Sequence, residues 1–243
     1  MSHGYLDYAA ATPVDHRVLV AMQPYFQEKF YNPSAASLPA KAVKADLEAA
    51  RASVASQLGA RPSEVIFTAG GTEANNLALA GILANYPGGH IVTTALEHES
   101  VLLPLRRLEA IGHELTEVAA DSQGIVSSDA ITTAITDKTV LVSVMYANNE
   151  VGSIQPIKRI GAALEIIRQQ RKKIGNTTPL YFHSDAAQAA NYLGIHVHRL
   201  GVDLMTLNGG KIYGPKQSGA LYFRAGIVLE PIVLGGGQER GIR

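Results

Sequence analysis

The feature that most constrains this chain is a regular alternation. Short apolar β-type runs are separated by helical patterns, and most of the runs close on a polar or glycine-rich turn. Val65-Ile66-Phe67, Ile91-Val92-Thr93, Leu115 to Val118, Val140 to Val144, Leu180-Tyr181-Phe182, Leu204 to Leu207 and Ala220 to Phe223 read as strands. Thr72 to Ala84, Val101 to Ala110 and Ser128 to Ile135 read as helices. Ile157, Ile160, Leu164 and Ile167 share one helical face at spacings of 3, 4 and 3, and Val43, Leu47, Val54 and Leu58 line another long helix. Strands that are continuously apolar and separated by helices are buried on both sides. The expected fold class is therefore α/β, a mainly parallel sheet with helices on both faces. Ligands of such sheets bind beyond the carboxyl ends of the strands, so the turns after the strands are the places to look for chemistry.

Composition narrows the answer. The chain has 243 residues, 47% of them hydrophobic, which is ample for a sizeable core. It carries 21 basic and 21 acidic side chains without long single-sign runs, so neither nucleic acid nor an anionic membrane surface is an expected partner. Apolar runs such as Val140 to Met145 are too short to span a bilayer. Met1 to Asp7 shows no basic segment leading into an apolar stretch, so no secretory signal and a cytoplasmic location are expected. With no cysteine, the chain holds neither a disulfide nor a thiolate metal site. There is no internal repeat, and Ile174 to Pro179 reads as a loop rather than a domain boundary.

Each turn, taken alone, has an ordinary explanation. Gly70-Gly71-Thr72 suits a helix cap, but two glycines before a helix also let the backbone approach a phosphate at the positive end of the helix dipole. His98, in Glu97-His98-Glu99-Ser100, is a polar loop residue or a side chain that stacks on a planar ligand and moves protons. Asn148 and Asn149 fit a turn or a ligand oxygen. Asp185, after the Leu180 strand in His183-Ser184-Asp185-Ala186-Ala187-Gln188, caps a helix or pairs with a protonated ring nitrogen, because a buried carboxylate needs a partner. Lys211, in Asn208-Gly209-Gly210-Lys211, is a surface lysine or a desolvated nucleophile of lowered pKa. A phosphate cup, a stacking His, an acid for a ring nitrogen, amides from Asn and Gln, and a nucleophilic Lys all come after successive strands. That combination describes a site for pyridoxal 5'-phosphate.

The same residues carry a family resemblance. Tyr5 to Pro13 (Tyr-Leu-Asp-Tyr-Ala-Ala-Ala-Thr-Pro), Tyr31-Asn32-Pro33-Ser34, Phe67 to Asn76, Glu97-His98-Glu99, Asn148-Asn149-Glu150, Lys211 to Lys216 and Gly235 to Arg243 resemble, in order, the cysteine desulfurases of the class V aminotransferase group. The resemblance implies the aspartate-aminotransferase-like fold, with residues 1–243 as a cofactor-binding large domain that includes an N-terminal segment, 1–30. It also implies removal of sulfur from L-cysteine, giving alanine and an enzyme persulfide, for iron–sulfur cluster or tRNA sulfur supply. Other implications are a homodimer and, in a complete family member, a sulfur-acceptor or scaffold protein.

By position, Lys211 matches the lysine that bonds to the cofactor and His98 the ring-stacking proton shuttle; these are the expected catalytic residues. Asp185 matches the partner of the pyridinium nitrogen and Gln188 the donor to the phenolic oxygen. Asn149 matches a contact to cofactor and substrate. Gly71, Thr72, Asn208 and Gly210 fall at the phosphate cup. The family usually has Ser-Gly-His-Lys where this chain has Asn208-Gly209-Gly210-Lys211. Its small C-terminal domain, with the nucleophilic cysteine, has no counterpart before Arg243. A truncated form inactive in sulfur transfer is therefore expected. The same large domain also serves selenocysteine lyases and other class V enzymes, and a non-catalytic cofactor-binding or dimerisation module stays open.

Overall fold

A computed structural model of the chain describes residues 4–243; the first residues of the 1–30 segment, 1–3, lie outside that range. Strands β1 (Val65–Thr68), β2 (His90–Thr94), β3 (Glu114–Val118), β4 (Thr139–Ser143), β5 (Tyr181–Asp185), β6 (Leu204–Asn208) and β7 (Gly219–Phe223) form one sheet in the order β1-β7-β6-β5-β4-β2-β3. Helices α1 (His16–Met22), α2 (Pro24–Gln27), α3 (Leu38–Leu58), α4 (Gly71–Leu83), α5 (Glu99–Ala110), α6 (Ser128–Thr133), α7 (Ile157–Lys173) and α8 (Val197–Leu200) surround it. Strand β7 pairs antiparallel with β1 and β6, and the remaining pairs are parallel. The mainly parallel sheet expected from the sequence is thus what the chain forms.

Alternate strand residues point to opposite faces, and two cores result from that period. Ile66, Ile91, Leu141, Leu204 and Leu221 pack with the apolar residues of α4 and α5 on one face. Val65, Val92, Val142, Phe182, Met205 and Tyr222 pack with α3, α6 and α7 on the other. Among the described residues, no helix is long and apolar enough to cross a membrane.

The topology decides where chemistry can sit. Helix α4 joins β1, at one edge of the sheet, to β2, near the other, and on its way packs against β1, β4, β5, β6 and β7. Its first turn therefore lies over the carboxyl ends of the central strands.

Three details differ from the sequence reading, each for a local reason. Helices α1, α2 and α8 leave no mark in the sequence pattern; at 7, 4 and 4 residues they are too short for a period to show. Strand β5 does not stop at Phe182 but continues through His183 and Ser184 to Asp185. Polar side chains argue for a turn, yet these are sheet residues with partners inside the core. The His183 ring lies 2.9 Å (Nδ1) from Ser143 Oγ and 3.1 Å (Nε2) from Thr206 Oγ1. Burial pushes the His183 pKa down to about 3, so the ring is neutral and acts as a spacer between strands. Helix α5 begins at Glu99, before Val101, because His98 caps it: Ser100 N–H donates to His98 Nδ1.

The packing of α7 on the α8 turn holds the entry to β6, the strand that leads to Lys211. A Cβ on Gly161 would sit 2.3 Å from Leu200 O and 3.1 Å from Gly201 Cα, both rigid backbone atoms. Gly161→Ala should therefore destabilise the fold by about 1–3 kcal/mol, despite alanine's better helix propensity. Urea denaturation measures it, and an unchanged midpoint would show that α7 and α8 can separate freely.

Candidate functional site

At the carboxyl ends of the parallel strands lies a cavity of about 300 Å³. Five of the seven strands deliver something to it. After β1 come Gly71 and Thr72; after β2, His98; after β4, Asn149. Strand β5 ends on Asp185, with Gln188 a turn beyond, and β6 leads to Asn208 and Lys211. Eight of the nine site residues expected from the sequence therefore line one cavity. The ninth, Gly210, lines a smaller adjoining hollow with Gly70, Lys216 and Gln217.

The local sequence explains each placement. Gly70 has φ 137°, open only to glycine, and this turns the chain from β1 into α4. A Cβ on Gly71 would lie 3.3 Å from the Asn208 side chain, so glycine keeps the two loops in close approach. Asn208 Oδ1 accepts the Gly210 N–H at 3.1 Å. Asn148 builds the turn beside the site: its Oδ1 accepts the N–H groups of Glu150 and Val151, and its Nδ2 donates to Leu96 O. The adjacent Asn149 is thereby left to line the cavity.

Electrostatics set the chemical character. Asp185 is buried, and burial raises its pKa. Hydrogen bonds from Asn75 Nδ2 (2.7 Å) and Ala187 N–H (2.8 Å) act the other way and stabilise the carboxylate. Lys211 is half-buried; desolvation lowers its pKa and Lys216 adds to this, while Asp7 and Asp185 oppose. Its Nζ donates to Ala9 O at 2.8 Å and Ala10 O at 2.7 Å, and Gln188 Nε2 donates to Ala9 O at 2.8 Å. Glu97 turns away from its neighbour His98. Its Oε1 accepts the Met145 N–H (2.7 Å) and the Thr94 hydroxyl (2.9 Å), tying the end of β2 to the end of β4. Its Oε2 is buried without a partner among the described residues. Burial pushes the Glu97 pKa up to about 8.

Sequence reasoning did not pick out Asn75, Ser100, or the backbone of Ala9 and Ala10 as cavity residues. Asn75 carried a signal: it sits one turn after Thr72, at a helical position whose neighbours Ala74 and Leu77 are buried. An amide there must find buried partners.

Comparison with known proteins settles the family. The model of the aminotransferase class V family matches residues 4–242. The chain belongs to the aminotransferase class V family. It is 41% identical over 241 residues to the cysteine desulfurase IscS of Dictyoglomus turgidum, covering 98% of this chain and 58% of that protein. With the cysteine desulfurase IscS of Methanosarcina thermophila it shares 44% identity over 238 residues, 97% of this chain and 56% of that one. Among solved structures, "SspA in complex with cysteine" superposes with a TM-score of 0.92 at 39% identity, covering 99% of this chain and 67% of that one. A NifS-like protein gives 0.90 at 35% identity, covering 98% of this chain and 64% of that one. The chain thus spans about 58% of the length of the first of these curated relatives.

Class V enzymes of this kind depend on pyridoxal phosphate, and the mostly parallel sheet with its helices superposes on solved relatives of that group. The residues present fit that group. The cavity offers an amine of lowered pKa, a buried carboxylate with lone pairs to spare, an imidazole, and a glycine turn at the start of a 13-residue helix.

Glu97 gives this site a pH signature. Its pKa, 4.5 when exposed, is raised in the fold, so the folded state holds a proton that the unfolded state has lost. Its contribution is full below about pH 4.5 and is lost as pH rises through about 8. Glu97→Gln should remove that component. Against the wild type, the variant gains stability progressively over this window, read by denaturant unfolding at several pH values. A difference that stays constant with pH would mean that Glu97 is ionised in the fold.

Proposed function

We propose that residues 1–243 form the pyridoxal-phosphate-binding large domain of a cysteine desulfurase, an enzyme that takes sulfur from L-cysteine and leaves alanine. The observation that carries this reading is the meeting of Lys211, Asp185 and His98 in one cavity at the strand ends. Three separate strands supply them, and no structural need of the sheet requires those residue types together. One solved relative, SspA, is in complex with cysteine, which favours cysteine as the substrate.

Within this proposal the residues divide the work. Lys211 would hold the cofactor covalently; partial desolvation leaves a larger fraction of its amine unprotonated and nucleophilic. Asp185 would pair with the ring nitrogen and favour its protonated form. Gln188 would donate to the phenolic oxygen, and His98 would stack on the ring and carry protons. Asn149 would contact cofactor and substrate. Gly71, Thr72, Asn208 and Gly210 would cradle the phosphate at the start of α4, where free N–H groups and the helix dipole favour an anion. When bound, pyridoxal phosphate supplies an electron sink for charge released at the substrate Cα. Gly210 has no side chain to offer the phosphate, and a Cβ there would meet only Asn208 Oδ1 at 3.4 Å and Lys216 Cδ at 3.5 Å.

This chain supplies no sulfur-accepting thiol, because it has no cysteine. In this reading the enzyme acts in the cytoplasm as a homodimer, passing sulfur to an acceptor protein for iron–sulfur clusters. Exposed Phe26, Phe30 and Leu38, 72%, 66% and 81% accessible, give the N-terminal region apolar surface for such an assembly.

Two measurements test the reading. Borohydride reduction after incubation with pyridoxal phosphate should leave the cofactor's mass on Lys211, and Lys211→Ala should abolish the label. Sulfide release from cysteine by the 243-residue chain should stay at the level of free cofactor, because persulfide formation needs a thiolate within reach of the substrate sulfur. A label on other lysines, or Lys211-dependent sulfide release, would overturn the assignment.

A further inference from the structure

One continuous set of hydrogen bonds joins the two sides of the cavity. Asn75 Nδ2 lies 2.7 Å from Asp185 Oδ2 and 2.8 Å from Ser100 Oγ. Ser100 Oγ lies 2.8 Å from His98 Nδ1, and the Ser100 backbone N–H donates to that same Nδ1 at 3.0 Å. Asn75 is fully buried and Ser100 nearly so.

The proton positions along this path are fixed by what each group can do. A backbone N–H only donates, so His98 Nδ1 accepts and carries no proton. The Ser100 hydroxyl, facing the same lone pair, also donates to Nδ1, which leaves its oxygen to accept from Asn75. The Asn75 amide has two N–H donors, and both are used: one on Ser100, one on Asp185. Reversing the amide would turn its oxygen against Ser100 Oγ, whose proton is given to His98, so the orientation is fixed even though Asn75 Oδ1 is then left without a partner among the described residues. Every link thus runs in one direction, away from Asn75. At one end Asp185 is held as an acceptor. At the other, a neutral His98 ring must carry its proton on Nε2, the nitrogen not engaged by Ser100.

We infer that Asn75 is the positioning residue of this site: it holds Asp185 as an acceptor on one side of the cavity and, on the other, turns the Ser100 hydroxyl toward His98 Nδ1, reinforcing the Nε2–H tautomer that the Ser100 N–H favours. The inference deepens the cofactor reading and, for its functional meaning, rests on it. A neutral His98 in this tautomer meets a ligand as a hydrogen-bond donor. Its other ring nitrogen is held by the α5 cap, so in this state the ring presents a donor and no acceptor to the cavity. The cap on α5 maintains the arrangement, since a proton on Nδ1 would face the helix N–H groups. Among the described residues the Asn75 side chain donates only to Ser100 and Asp185, so it acts through those side chains.

The test uses the full chain without cofactor, so it is independent of whether pyridoxal phosphate binds. Ring-15N-labelled histidine, with His98 assigned by comparison with His98→Gln, should show His98 Nε2 bonded to hydrogen and Nδ1 bare at a pH where the ring is neutral. A proton on Nδ1 would overturn the inference. Carboxyl-13C-labelled aspartate, with Asp185 assigned by Asp185→Asn, gives the second readout. Asn75→Leu should raise the Asp185 titration midpoint by about one to two pH units, since a lost hydrogen bond to a charged group is of that size. Ser100→Ala should leave that midpoint in place. An unchanged midpoint in Asn75→Leu would also overturn the inference. If Asn75→Leu does not fold, Asn75→Ala, which removes the same two donors in a smaller side chain, is titrated in its place, with the same expected rise and the same overturning result. Failure of the cofactor to label Lys211, with these two results intact, would count against the proposed function and not against this inference.

Discussion

Asp185 ends a buried strand with a carboxyl group, and much of the site is arranged around satisfying it. An isolated ionised carboxyl in such a place is strongly unfavourable. Asp185 finds donors in two elements: the Ala187 N–H in the turn beyond β5, and Asn75 in the first turns of α4. The second donor has a topological consequence. Strand β1 is separated from β5 by β7 and β6, so Asn75 reaches Asp185 only because α4 crosses the sheet on its way to β2. The same crossing brings the glycine turn before α4 to Asn208 and Lys211. One crossover thus puts an anion-favouring helix start, a buried acid and a lysine around a common cavity.

Beneath the cavity the sheet is more polar than its hydrophobic content suggests. Thr93 Oγ1 donates to Ser143 O at 3.0 Å, Ser143 Oγ meets His183 Nδ1, and His183 Nε2 meets Thr206 Oγ1. This row crosses β2, β4, β5 and β6, the strands whose ends carry the site. Glu97 adds a second tie between β2 and β4, directly beside His98. Buried polar networks rigidify their surroundings when satisfied. Here they sit close below the groups that must hold a ligand in place, while the aliphatic packing lies on the two helix-covered faces.

Much of this was legible in the sequence. The alternation of apolar runs and helical patterns marks all seven strands, and the turns after β1, β2, β4, β5 and β6 hold the polar residues that converge. Boundaries were harder where side-chain chemistry and position disagree. His183 and Ser184 look like a turn because their burial depends on Ser143 and Thr206, residues distant in sequence. The start of α5 was hidden because a histidine, not Ser, Thr, Asp or Asn, accepts the capping bond. The segment Ala9-Ala10 reaches Lys211 through backbone carbonyls, which leave no mark in residue identity. Asn75 was legible only as a polar residue on an apolar helix face, and its partners become visible once α4 is known to cross β5.

The decisive question for these strand ends is whether they form one cofactor site. Equilibrium titration of the chain with pyridoxal phosphate, alongside an Asp185→Ala variant, tests it most directly. The expected result is saturation at one cofactor per chain, with affinity reduced about tenfold or more in the variant, where the ring nitrogen has lost a charged partner. Several equivalents bound per chain, with wild type and variant indistinguishable, would mean that scattered surface lysines take up the cofactor and that the convergence of Lys211, Asp185 and His98 serves some other purpose.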